Sequence, residues 1–365
     1  MARLRTDIPD AVMQVLNAGA VIPAHPLALD ENRAFDEQRM AALTRYYIDA
    51  GAGGLAVGVH TTQFAIRDIG LYEPVLRHCA KTADDWTDRP LVRIAGLAGR
   101  TRQACREAQI AHGLGYHAGL LSLAAMKGSG ADELIEHCKA VAHEIPVVGF
   151  YLQPSVGGIP LGFEFWKRFA AIENVIAIKM APFNRYATLD VIRGVIAAGA
   201  ENRVALYTGN DDHIVADLVN PFTFMRDGKP VTVRIRGGLL GHWSVWVKAA
   251  VDLLERCKAE ARKSAVSADL LALDAQVTDC NAALFDVAHN FHGCIAGCHE
   301  ILRRQGLLRG TWCLDPDEDL SPGQAAELTR VAASYPHLTD DRFVAANLER
   351  WLSGNRAAPL RDQAA

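Results

Sequence analysis

At 365 residues the chain is long for one hydrophobic core but within the range of single barrels built from alternating strands and helices. Half of the residues are apolar, 22% are charged and the formal net charge is -4, which excludes a disordered chain, a membrane-embedded one and a polycation suited to nucleic acid. The 8 cysteines are too sparse for a disulfide framework, and MARLRTDIPDAVMQVL lacks the apolar core of a secretory signal, so a reducing cytoplasmic setting is expected.

In chain order, residues 1–17 predict a helical extension. The β-prone runs AGAVIPA (18–24), GGLAVG (53–58), LVRIAGLA (91–98), AGLLSL (118–123), PVVGFYLQ (146–153), VIAIKMA (175–181), RVALYTG (203–209) and TVRIRGGLLG (232–241) come next. Between them lie amphipathic stretches such as DEQRMAALTRYYIDAG (36–51) and ADELIEHCKAVAHE (131–144), with apolar residues at helical spacing. Strands alternating with helices predict parallel βαβ units, and eight such units close into a (β/α)8 TIM barrel over residues 18–242. The competing open, doubly wound sheet of the dinucleotide-binding kind carries G-x-G-x-x-G after its first strand, which AGAVIPAHPL lacks. Ahead of the last barrel strand, VNPFTFMRDGKPVTVRI (219–235) reads as a hairpin turning at Asp227–Gly228, suited to a lid or an interface. Beyond residue 242 only helical patterns remain, predicting an eighth helix and a C-terminal helical extension over 243–352 and a flexible tail over 353–365.

The run VIAIKMA holds a single lysine, Lys179, near its C-terminal end. Strand alternation puts Ala177, Lys179 and Ala181 on one face, and the two alanines leave room around the amine. In barrels the C-terminal strand ends form the reaction face, and desolvation favours the neutral amine that attacks carbonyls. Schiff-base chemistry is one reading; a structural ion pair is the other. One strand earlier, GFYLQPSVGG puts Tyr151 on the face of Gly149 and Gln153, within about one strand spacing (roughly 4.8 Å) of Lys179 if the strands are adjacent. A phenol so placed can carry the protons of imine formation.

A Tyr followed closely by Pro and a Gly-bearing turn, with 28 residues from that Tyr to the Lys of IAIKMAPFN, resembles the dihydrodipicolinate synthase / N-acetylneuraminate lyase family. GAVIPAHPLALDENRAFD, YYIDAGAGGLAVGVHTT, LYTGNDD and EILRRQGLL extend the resemblance over most of residues 18–340. It implies a class I lyase or aldolase on a barrel with extra C-terminal helices, assembled as a homo-oligomer, dimer or tetramer. It also implies that Lys179 forms an imine with pyruvate or another 2-oxo acid, that Tyr151 shuttles protons, and that no metal or cofactor is needed beyond the covalent imine. The family's Gly-Thr-Thr-Gly-Glu motif, which holds the substrate carboxylate, is met here by VGVHTTQF. Set without a gap, Val59 and His60 take the threonine positions; shifted by two, Thr61 and Thr62 do. His60, Thr61 and Thr62 are therefore the candidate carboxylate ligands, since a carboxylate wants convergent donors.

Two departures bear on the substrate. The arginine that holds a second carboxylate in dihydrodipicolinate synthases is replaced by Val156 in QPSVGG, and the aromatic pair after the fourth strand is replaced by Ala124, Ala125 and Met126. Aspartate semialdehyde is thus not the expected partner; an apolar or neutral aldehyde or leaving fragment is. A barrel that captures a 2-oxo acid without turnover is an alternative. RIRGGLLGHWSVW offers another, phosphate binding on a Gly-rich loop, while its glycines, Gly238 among them, equally suit close packing around an imine-bound substrate. HNFHGCIAGCHE gathers His289, His292, Cys294, Cys298 and His299, but helical spacing separates them into different stripes, so buried cysteines and surface histidines are expected in place of a metal site. His112 and His117 are expected as solvent or packing histidines.

Overall fold

The computed structural model describes residues 3–361. Its first long helix, Asp10–Ala18, presents Val12 and Leu16 with the preceding Ile8 on one stripe. That stripe packs with Ile22, Ile94, Leu120 and Tyr207 into one cluster, so the helix forms the floor of the sheet beside it. Tyr207 fixes it there by donating its hydroxyl to Leu16 O at 2.8 Å.

The strands are β1 (Val21–Pro23), β2 (Gly54–Val57), β3 (Val92–Leu97), β4 (Ala118–Leu121), β5 (Val147–Leu152), β6 (Val175–Ala181), β7 (Ala205–Thr208), β8 (Pro221–Arg226), β9 (Lys229–Arg234) and β10 (Gly237–Leu240). Eight of them pair in parallel in the order β2-β3-β4-β5-β6-β7-β10-β1. A parallel bridge between Ala24 and Ala56, with Gly53 N donating to Val21 O at 3.0 Å, brings β1 back to β2 and closes the ring. Helices lie between successive strands, as the expected (β/α)8 barrel requires. Interior positions carry alanine and branched residues, while the opposite faces of the same strands pack against the helices.

One irregularity decides which side chains enter the barrel. β5 and β6 start in a register that pairs Val147 with Val175, but Val148 pairs with Ala177, so Ile176 is an extra residue in β6. Beyond this bulge the offset between the strands is 29 residues, and Phe150, not Tyr151, faces Lys179.

The hairpin forms where expected, with β8 and β9 antiparallel around Asp227 and Gly228. Its second strand corrects the expected run 232–241. Thr232–Arg234 belong to β9 outside the barrel, and the barrel strand begins only at Gly237. A Cβ at Gly237 would lie 2.4 Å from Ala20 O, so only glycine lets the chain re-enter beside β1.

The eighth helix, Val247–Ala261, leads into Ala268–Leu284, Cys294–Arg304, Gln324–Ser334 and Asp341–Ser353. The last of these is tied to helix Glu37–Asp49 through Tyr46 Oη to Asp340 at 2.6 Å and Trp351 Nε1 to Asp49 at 2.7 Å. Of the expected tail, residues 353–361 are described. Asn347 exchanges two hydrogen bonds of 2.9 Å with the Arg361 backbone, and Arg350 donates to Ala358 O at 2.7 Å. Residues 362–365 lie outside the described residues. Among the described residues no helix is long and apolar enough to cross a membrane.

Candidate active site

Lys179 projects into the barrel from the C-terminal half of β6, on the interior face it shares with Ala177 and Ala181. Its stem needs the space that Gly209 leaves open, because a Cβ there would stand 2.6 Å from Lys179 Cε and 2.8 Å from Ala181 Cβ. Nζ lies 4.5 Å from the centre of the Phe150 ring. Among the described residues it takes part in no ion pair or protein hydrogen bond, so the structural-pair reading has no partner to stand on. Desolvation lowers its pKa below the ordinary lysine value, opposed by the nearby Asp211 and Cys294.

The amine opens into a cavity of about 560 Å³, its mouth included. His60 and Thr61 line one wall, Leu152, Val156 and Phe183 another, and Phe285 and Cys294 reach over it from the C-terminal helices. Asp211, from the loop after β7, completes the titratable lining. Burial pushes its carboxyl above the usual carboxylate range, against the opposing His242 N–H and Lys179 charge. His60 is held down to about 4 by desolvation and then by the Lys179 charge, so its imidazole is neutral at pH 7.

The structure brings together four of the expected site residues, Lys179, His60, Thr61 and Val156, and separates three. Tyr151 points to the helix layer: its ring tilts against Trp166 at 5.2 Å, and its oxygen accepts the Leu161 N–H at 3.1 Å. The bulge at Ile176 is the reason, since a one-residue slip exchanges the inward and outward faces. Thr62 is spent on the turn, its oxygen accepting from Gly58 N at 2.9 Å and Val59 N at 3.2 Å and donating to His25 O at 2.6 Å. Gly238 also faces away, because a Cβ there would meet the Trp243 ring at 2.4 Å; the glycines lining the cavity are Gly209 and Gly241.

Phe150, Asp211, Phe285 and Cys294 were not legible as site residues. Asp211 stands in LYTGNDD, and its place directly after a barrel strand was the available signal. Phe285 and Cys294 arrive from helices outside the barrel, where sequence offers none. In HNFHGCIAGCHE the cysteines are buried as expected, but His299 is buried too, its Nδ1 3.2 Å from Thr311 O, which corrects its assignment to the surface.

The dihydrodipicolinate synthetase family model matches residues 17–220, ending where the hairpin begins. The chain belongs to this family. A 4-hydroxy-tetrahydrodipicolinate synthase from Archaeoglobus fulgidus is 29% identical over 175 residues, 47% of this chain, and the match spans 58% of that relative's length. Among solved structures, dihydrodipicolinate synthase from Aquifex aeolicus superposes with a TM-score of 0.71 at 17% identity, covering 88% of this chain and 99% of that one. N-acetylneuraminate lyase from Fusobacterium nucleatum gives 0.69 at 16% identity, covering 87% and 99%. These likenesses establish the shared barrel with its C-terminal helices. Within the dihydrodipicolinate synthetase family the coarse chemistry is that of lyases. The turn that meets the family's Gly-Thr-Thr-Gly-Glu motif carries two positive-φ residues, Gly58 at 76° and Gln63 at 67°.

Proposed function

We propose that this protein is a Schiff-base lyase that forms an imine between Lys179 and pyruvate or a related 2-oxo acid, and makes or breaks a carbon–carbon or carbon–oxygen bond through the derived enamine. The observation that carries this reading is a desolvated lysine, free of any ion pair among the described residues, at the mouth of a barrel in a family of lyases. Its neutral amine attacks C2 of the oxo acid, water leaves, and loss of a C3 proton gives the enamine. The carboxylate is held at the turn His60–Thr62, whose first N–H groups have no acceptor within the turn. The Thr61 hydroxyl donates to Ala24 O at 2.7 Å, so it steadies this wall more than it binds.

The second fragment of the substrate meets Leu152, Val156, Phe183 and Phe285. No cationic side chain stands among them, which supports an apolar or neutral aldehyde or leaving group over aspartate semialdehyde. Assembly into dimers or tetramers belongs to the same proposal and is read by light scattering.

Borohydride treatment in the presence of pyruvate, followed by peptide mass analysis, tests the imine. A reduced adduct on Lys179, absent from Lys179→Ala, is expected; no adduct on Lys179 refutes the reading. The lapsed binder is the second reading, favoured by the lack of a tyrosine among the residues lining the cavity. It predicts a trapped adduct with no exchange of the C3 protons into D2O.

A further inference from the structure

With Tyr151 turned away, the cavity needs another group to move protons. We propose that Asp211 is the catalytic acid–base of this pocket, its carboxyl protonating the departing hydroxyl as the imine forms and its carboxylate then taking the proton from C3. This rests on the imine chemistry of Lys179.

Three observations carry it. First, Asp211 is held in place. Its Oδ1 accepts the His242 N–H at 2.9 Å, and the loop beneath is braced by the buried Asp217, whose Oδ2 accepts from Thr208 Oγ1 at 2.6 Å and Asn210 Nδ2 at 3.1 Å. Asn210 Oδ1 in turn accepts the Phe183 N–H at 3.1 Å, tying this loop to another wall of the cavity. Second, Asp211 lines the same cavity as Lys179 although the residue as a whole is only 4% exposed, and with Oδ1 taken by the His242 N–H its other oxygen, Oδ2, is engaged by no other side chain among the described residues. Third, the other polar groups are poorly suited to the task. The Cys294 thiol is pushed up by burial, and His60 is held as a neutral ring whose turn is assigned to the carboxylate.

The protons balance. Lys179 and Asp211 form no direct ion pair, yet each shifts the other's charge, and both are moved by burial toward their neutral forms. The neutral amine adds to the C2 carbonyl, and the ammonium proton passes to the alkoxide. The carboxyl then protonates that hydroxyl, which leaves as water, so the products are an iminium and a carboxylate. The carboxylate removes one C3 proton, giving the enamine and restoring the carboxyl. No oxidant, reductant or metal enters.

Groups bearing on this titration are Lys179 on β6, Asp212 beside Asp211, Cys294 and Cys298 on the helix above, and His60 across the cavity. The test uses the full chain, pyruvate and D2O. Asp211→Asn keeps an oxygen for the His242 N–H. It is expected to slow C3 exchange at least 100-fold, to remove the carboxyl titration from the pH profile of exchange, and still to yield a borohydride-trapped Lys179 adduct on long incubation. Asp211→Glu, which restores a carboxyl, is expected to recover at least a tenth of wild-type exchange. Exchange in Asp211→Asn within threefold of wild type overturns the proposal, as does equal impairment of the Asn and Glu variants. Failure of the wild type to trap any adduct would instead overturn the imine reading itself.

Discussion

Tyr151→Phe separates the observed geometry from the role that sequence spacing implies. The substitution removes one atom, the oxygen that accepts the Leu161 N–H at 3.1 Å, and leaves the ring against Trp166. Leu161 is buried, so its amide is left without an acceptor, at a cost of about 1–3 kcal/mol. The loss falls on the packing of β5 against helix Phe163–Ala170, outside the cavity. Stability should therefore fall while chemistry is spared: a lower urea midpoint, with C3 proton exchange of pyruvate within about threefold of wild type. Exchange by NMR in D2O and urea unfolding followed by circular dichroism measure the two sides independently. A tenfold or larger loss of exchange at an unchanged midpoint would show that the phenol reaches the substrate, and the inference from the bulge would fall with it.

Gly209→Ala sets a methyl carbon 2.6 Å from Lys179 Cε, and overpacking of this kind costs about 1–3 kcal/mol. Borohydride trapping should slow at least tenfold, and trapping at the wild-type rate would mean the lysine stem lies elsewhere. Thr62→Val deprives two backbone N–H groups of their acceptor, so a loss of roughly 1–3 kcal/mol is expected in denaturant unfolding; an unchanged midpoint would contradict its structural role. Acid should also destabilise the fold. His25, His60, His242 and His299 are each lowered to about 4 by burial, so between about pH 6.5 and 4 the unfolded chain binds more protons. Each contributes a loss on the order of 1–2 kcal/mol at pH 5 relative to pH 7. Asp211, Asp212, Asp217, Glu318 and Asp340, raised by burial, act in the opposite sense, but the lowered histidines outnumber them once His78, His112, His117 and His137 are included. A urea midpoint no lower at pH 5 than at pH 7 would refute this balance.

Strand period, helix spacing and the alternation of the two made the barrel legible, and the small neighbours of Lys179 made its inward face legible as well. Tyr151 was misplaced for a definite reason. A spacing of 28 residues presumes regular pairing, and the bulge at Ile176 adds one residue that no local pattern announces. Thr62 and Gly238 were misread because sequence shows that a hydroxyl or a bare backbone is present without showing which neighbour already uses it. The run 232–241 was β-prone throughout, yet its first part pairs with β8, since pairing is decided by partners distant in sequence. Phe285 and Cys294 depend on the packing of helices more than 100 residues beyond Lys179.

The floor helix, finally, bears on the order of assembly. Leu16 meets the Tyr207 hydroxyl across a separation of 191 residues, and Ile8 and Val12 share their cluster with strands from nearly every part of the ring. During synthesis this helix leaves the ribosome before the strands it covers, yet its apolar stripe has no complete seat until the seventh barrel strand has emerged. Such long loops must close before the contact rewards them, which makes the interior late to dehydrate. The helix is thus made before the strands it covers and secured after them, and until then its stripe is a surface for chaperones to cover.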